Sequence, residues 1–275
     1  LTSAKVLEQW TQGDIAQADL LACTDGWLDT LSAVALQPIE AAALSNQLDP
    51  LAQQFLKMHG PLASQVLPVG VSPWVLLVRR NPVIDAMKQL GWQMLLNPQL
   101  KGQVVFPASP RVVIDLADRL EQPDALQRLR RQALTFDDRQ AVNWLLKGVA
   151  KVVVLPLQRC LSLLRRDPRM EVILPNQGAP LHWTVLIRPK DAKVPLPQQW
   201  VELAWREPMR RRLLQEGWRA PLATAVLDAD RSQLPGRWRS LVLPPDDLWN
   251  KCWSLPPLSP EQRISLAERW RASAP

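Results

Sequence analysis

The residues best placed to do chemistry stand in Thr24-Asp25-Gly26-Trp27, directly after the short apolar run 19–23. A run of that length between polar residues reads as a buried strand, and the loop after a strand's C-terminal end is where α/β proteins place ligands. Asp25 is there either the cap of the helix that follows or a carboxylate for a cationic ligand, with Thr24 as the other cap. Gly26 lets the chain turn closely, and Trp27 offers an aromatic wall. Trp74 and Trp183 offer two more, because an indole face covers methylenes and attracts a cation with about 0.5–2 kcal/mol. Ser109 with Pro110 and Arg111 has the opposite character. Serine at the N-cap, proline at the first helical position and a guanidinium beside that N-terminus suit an anionic or polar group. Each residue also has a plainer reading. With 13 Trp and no Tyr, tryptophan must serve the core as well; Arg111 can pair with a neighbouring acid, and His182 reads as a satisfied strand histidine.

Catalysis asks for more than this inventory holds. His59 and His182 are the only histidines, and no HExxH, GxSxG, Walker or GxGxxG pattern occurs. Cys23, Cys160 and Cys252 are an odd, widely spaced set with no CxxC pair, which signals neither a metal site nor a disulfide framework. Cys23 reads as a buried structural thiol, and Asp137-Asp138 and Asp246-Asp247 as helix starts. No enzymatic activity, cofactor or metal is expected.

The chain has 275 residues, is 47% hydrophobic and carries a net charge of +7. Its basic runs, Arg128 to Arg131, Arg165-Arg166 and Arg210 to Arg212, lie far apart in sequence within amphipathic stretches. They read as solvated helix faces rather than a concentrated anion-binding surface, so nucleic acid is not an expected partner. No stretch approaches the roughly 20 apolar residues of a membrane span. Residues 1–10 lack the zones of a secretory signal and enter at once on helical sequence, so a signal and some mature sequence are expected to precede Leu1.

The elements alternate. Helices are expected over 2–12, 49–58, 82–90, 124–133, 138–146, 158–165, 208–217 and 260–272, with a further one opening at Pro110 and another near 200–203. Strands are expected over 19–23, 66–71, 74–78, 101–106, 151–155, 171–174 and 182–188; the break between the second and third is set by Pro68, Gly70 and Pro73. Residues 234–260, rich in Pro and Trp, read as loop. The alternation indicates an α/β fold with mostly parallel sheet.

Several segments, in order, resemble the spermidine/putrescine-type periplasmic solute-binding proteins of ABC transporters. They are 18–25; Leu96-Asn97-Pro98-Gln99-Leu100-Lys101-Gly102 with Val104-Val105 and Ser109-Pro110-Arg111; 144–152; Asn176-Gln177-Gly178-Ala179-Pro180-Leu181-His182-Trp183; and 208–221, ending Glu216-Gly217-Trp218-Arg219-Ala220-Pro221. The resemblance covers roughly residues 4–222. It implies the two-lobed type II periplasmic-binding-protein fold, each lobe a mostly parallel sheet flanked by helices, with a ligand cleft between lobes. Residues 1–72 and 187–225 would form one lobe, lacking the family's first strand and helix, and 73–186 and 226–275 the other. The function implied is a periplasmic, monomeric receptor that passes a small ligand, polyamine-like by resemblance, to an ABC permease by hinge closure. The ligand-binding set would be Thr24, Asp25, Trp27, Trp74, Ser109, Arg111 and Trp183, with Trp183 on a family ligand-site tryptophan. Two departures stand against a polyamine: one acidic cluster of the family is replaced by Ala108-Ser109-Pro110-Arg111, and Val185 stands where the family has an acid. A small anion, or the effector-sensing domain of a transcription regulator, are the alternative readings.

Overall fold

The computed structural model describes residues 3–12 and 18–275; Thr2, the expected start of the first helix, lies outside them. Among the described residues eight strands form: β1 Leu21–Thr24, β2 Leu36–Gln37, β3 Val66–Arg79, β4 Val104–Val105, β5 Ala133–Thr135, β6 Val152–Pro156, β7 Met170–Ile173 and β8 Leu181–Pro189. The chain divides into two compact units, Leu1–Ser72 with His182–Pro244, and Pro73–Leu181 with Pro245–Pro275.

In the first unit β8 is the organising strand. β1 pairs with it antiparallel from Leu21 opposite Ile187 to Thr24 opposite Thr184, and β2 pairs with it further on. Burial alternates along β8, with Trp183, Val185 and Ile187 inside, the two-residue period of a strand with one covered face. The helix Pro50–Met58 covers that face. Its first turn is fixed by Asp49, whose carboxylate accepts from the Ala52 backbone N–H at 2.8 Å, and its Phe55 stacks on Trp183 with ring centroids 4.8 Å apart. Elsewhere in the unit the fully buried Asp230 carboxylate accepts from Arg210 Nε at 2.6 Å and from Arg211 Nε at 3.4 Å.

The second unit holds a sheet in the order β5-β4-β6-β3-β7. Val75–Val78 of β3 and Val152–Leu155 of β6 are inaccessible to solvent, the continuous apolar signature of strands covered on both faces. The helix Pro110–Arg119 follows β4, and the helix Pro260–Ala272, closed by a Ser259/Gln262 capping box, packs against it through the Arg269–Asp118 ion pair.

The structure refines four expectations. Between the named strands of the second unit, β4 is parallel to β5 and β6, whereas β3 runs antiparallel to both β6 and β7. Residues 66–78 are one strand, because the prolines fall where it changes partner: Val71 exchanges backbone hydrogen bonds with Arg219, and three residues later Trp74 donates to Pro180. The stretch expected as loop contains the helices Gly236–Val242 and Asp246–Trp249. The unit boundaries fall at 181/182 and 244/245, against the sequence-based 186/187 and 225/226. The Asp230–Arg210 pair shows why: it fastens residues 228–233 to the helix Met209–Gln215.

Candidate functional site

At the C-terminal end of β1 the chain turns into a short 3-10 helix, Asp25–Thr30, with Thr24 at its N-cap position but making no side-chain cap bond. The carboxylate that could have capped it faces β8 instead. Asp25 Oδ1 accepts from the Trp183 backbone N–H at 3.3 Å, continuing the register in which Thr24 lies opposite Thr184. His182 Nδ1 lies 3.8 Å from the same oxygen, and both side chains remain partly exposed, at 18% for His182 and 14% for Asp25. Beyond the imidazole, the half-buried Trp218 ring lies with its centroid 6.5 Å from that of His182. Trp218 is placed by the turn that ends the helix Met209–Gln215. Gly217 has φ 84°, a conformation glycine adopts without strain, and the Trp218 N–H closes on Leu213 O. The indole also rests against Gly70, where a Cβ would stand 3.3 Å from Trp218 Cε3 and would press the ring aside by a few tenths of an ångström.

A partly exposed carboxylate, an imidazole and an indole thus share the end of β1. Together they can accept hydrogen bonds from a cationic or polar ligand and cover its carbon skeleton. An imidazolium at His182 would compete with a cationic ligand for the carboxylate. Nucleophilic chemistry has no support here: burial, with the Asp25 charge adding to it, pushes the Cys23 thiol up to about 12, and burial likewise holds the Cys160 thiol at about 12. Among the described residues no cluster of His, Cys, Asp and Glu could hold a metal ion, and no helix is long and apolar enough to cross a membrane.

The residues singled out in the sequence part company. Thr24, Asp25, Trp27 and Trp183 lie in the first unit, and Trp74, Ser109 and Arg111 in the second. The Trp183 ring is fully buried on Phe55, so the expected ligand wall is a core side chain; what reaches the site from that residue is its backbone N–H. Trp74 is also buried. Ser109 occupies the N-cap position with Pro110 next to it, but its hydroxyl makes no cap bond. The Arg111 guanidinium donates to the Pro256 carbonyl, on the wall of a groove that also carries Asp115 and Asp118. Those acids oppose the anion-binding role expected at this helix start. Two site residues were underrated: His182, read as structural, and Trp218, noticed only as part of a closing motif. The signal available was the pairing of β1 with β8, which sets His182 beside Asp25.

The second unit has its own cavity of about 190 Å³, lined by Trp92, Arg119, Glu121, Gln177 and Trp253 among others. Arg119 already occupies the Trp253 face, its guanidinium carbon 3.7 Å from the ring centroid, and Trp253 Nε1 donates to Asp115 Oδ2 at 2.8 Å. With its aromatic face filled and a volume below the roughly 300 Å³ at which ligand pockets begin, this cavity is part of the packing.

No family model matches the chain, and no curated protein matches it. Solved structures do. A spermidine/putrescine ABC transporter substrate-binding protein from Streptococcus pneumoniae, in complex with calcium and HEPES, superposes with a TM-score of 0.73 at 12% identity, covering 100% of this chain and 89% of that one. A ferric binding protein from Campylobacter jejuni gives 0.65 at 12% identity, with 99% and 89% covered. A binding protein from A. tumefaciens R10, in complex with agropinic acid, gives 0.62 at 14%, with 100% and 87% covered. Three such different ligands on one scaffold mean that the fold does not choose the ligand. From end to end, the chain has the two-lobed α/β fold of the periplasmic binding proteins.

Proposed function

We propose that this chain is an extracytoplasmic solute-binding receptor, not an enzyme, that delivers a small ligand to an ABC importer. The observation that carries the reading is the Asp25–His182–Trp218 cluster at the end of β1, on a chain that superposes along its whole length on a transporter substrate-binding protein. The ligand class that fits the cluster is a small organic cation, polyamines included: Asp25 pairs with an ammonium group and Trp218 covers methylenes. Arg111, engaged with Pro256 beside two acids, leaves the anion reading without support. Ligand contacts made only in the closed arrangement drive hinge closure across the three chain crossings, and the closed form docks as a monomer on its permease.

Thermal unfolding of the purified chain against putrescine, spermidine, amino acids and simple anions tests this. A ligand present at a hundredfold excess over its dissociation constant adds about 2.7 kcal/mol to stability, enough to raise the midpoint by several degrees. The expected result is a shift with an organic cation that Asp25→Asn weakens by about 10- to 100-fold in affinity, the loss of one charge-assisted hydrogen bond. A shift with anions alone, or an unchanged affinity in Asp25→Asn, overturns the assignment of the site.

A further inference from the structure

The basic runs that look scattered in sequence are gathered by the topology of the second unit. That unit holds 20 basic and 13 acidic residues, while the first holds 13 of each, so the whole net charge of +7 belongs to the second. Within it, β4, β5 and β6 are parallel, so their N-terminal ends share one edge; β3 is antiparallel to β6, and β7 to β3, which brings the end of β3 and the start of β7 to that same edge. Each of these ends carries base. Arg79 and Arg80 end β3, Lys101 precedes β4, Arg131 precedes β5, Lys147 and Lys151 precede β6, and Arg166 and Arg169 precede β7. Contacts confirm the gathering: Lys151 N–H donates to Gln103 O, Arg80 N–H to Arg169 O, and a side chain added at Gly148 would meet Arg79 Nη1 at 3.9 Å. The acids at this edge are already engaged, Glu171 by Arg80 and Lys88 and Asp167 by Arg169. The edge lies opposite the end of β3 at which the chain enters the unit, Trp74 being paired with Pro156 and Val78 with Val152.

Apolar side chains stand among these charges. Val149, at the tip of the turn between Lys147 and Lys151, is 48% exposed; Leu146 beside it and Val83, just beyond the end of β3, are each 37% exposed. We propose that this pole of the second unit is a docking surface for the anionic phospholipid face of a membrane. Lys and Arg side chains hold headgroup phosphates, while Val149 and Leu146 sit at the headgroup boundary. Duplex DNA would meet the same charge through its phosphates, but the membrane surface alone offers a headgroup boundary at which the exposed aliphatic tip can be buried, and the two occupants separate in the test. The inference stands on the charge distribution and is independent of the ligand site.

Co-sedimentation of the full chain with vesicles of phosphatidylglycerol mixed with phosphatidylcholine, against pure phosphatidylcholine, tests it. Each basic side chain near an anionic surface is worth about fivefold in partition. The triple variant Lys101→Glu/Arg131→Glu/Lys147→Glu should lose at least about 100-fold. The triple variant Lys57→Glu/Lys190→Glu/Lys193→Glu, with the same change in net charge on the first unit, should stay within a few-fold of the parent. Binding should also fall steeply with ionic strength, and Val149→Ser should weaken it at fixed salt. Equal losses in the two triple variants would reduce the effect to net charge and overturn the proposal. So would retention on duplex DNA without partition onto vesicles. The unfolding midpoint of each variant separates lost binding from lost fold.

Discussion

The two units solve different problems with similar materials. The first is electrically balanced and builds its sheet as an antiparallel ladder on β8, with the polar cluster of Asp25, His182 and Trp218 at one end. The second has a doubly covered sheet, carries the entire excess of positive charge, and spends its polar side chains on packing, as the Arg119–Trp253–Asp115 contact shows.

The sharpest way to break this contrast is Asp230→Ala, which leaves Arg210, 11% exposed, without its buried counter-charge. The expected loss is about 3–5 kcal/mol in urea unfolding. In hydrogen exchange β8 should open more readily than β6; equal loosening of both strands would show that the units do not unfold separately. A smaller effect is expected in the second unit from Gly178→Ala. Gly178 has φ 87°, and a Cβ there would meet the Lys251 carbonyl oxygen at 2.2 Å, so the chain must shift. About 1–3 kcal/mol is expected, read as a lower midpoint with ligand affinity unchanged. The smallest effect belongs to Asp115. Burial pushes its carboxyl up, with Asp118 adding to the rise, against the Trp253 and Arg119 contacts. A raised folded pKa favours the protonated form, so its contribution is present at low pH and is lost as pH rises through that pKa. Asp115→Asn keeps an acceptor for Trp253 without a charge. Its stability should therefore match the parent at about pH 4 and equal or exceed it by up to ~1 kcal/mol at about pH 7. A variant less stable at neutral pH would show that the Arg119 attraction outweighs burial.

Much of this was legible in the sequence. The period-two pattern of 182–188 and the uninterrupted apolar run at 152–155 mark β8 and β6, because strand period and length depend only on local pattern. Ser109-Pro110 marks a helix start for the same reason. What failed to show was everything set by pairing. Trp183 reads as a ligand wall until its register turns the ring onto Phe55, and His182 gains its importance only from lying beside Asp25. The charge pole is the clearest case: Lys101, Arg131, Lys147 and Arg166 are separated by 16 to 30 residues from one to the next, and no short window along the chain contains their sum. Pro68 and Pro73 misled in the other direction, since a proline is tolerated where a strand exchanges one neighbour for another.

The register of β1 on β8 has a consequence for synthesis. Leu21 finds its partner at Ile187. At the roughly 5–20 residues per second of a ribosome, β1 waits on the order of ten to thirty seconds for the strand that completes it. During that interval the second unit's sheet strands, all encoded by residue 173, can already assemble. β1 is made before those strands yet seated after them, and until β8 emerges its apolar residues and open backbone edge are there to be bound by a chaperone or by another nascent copy.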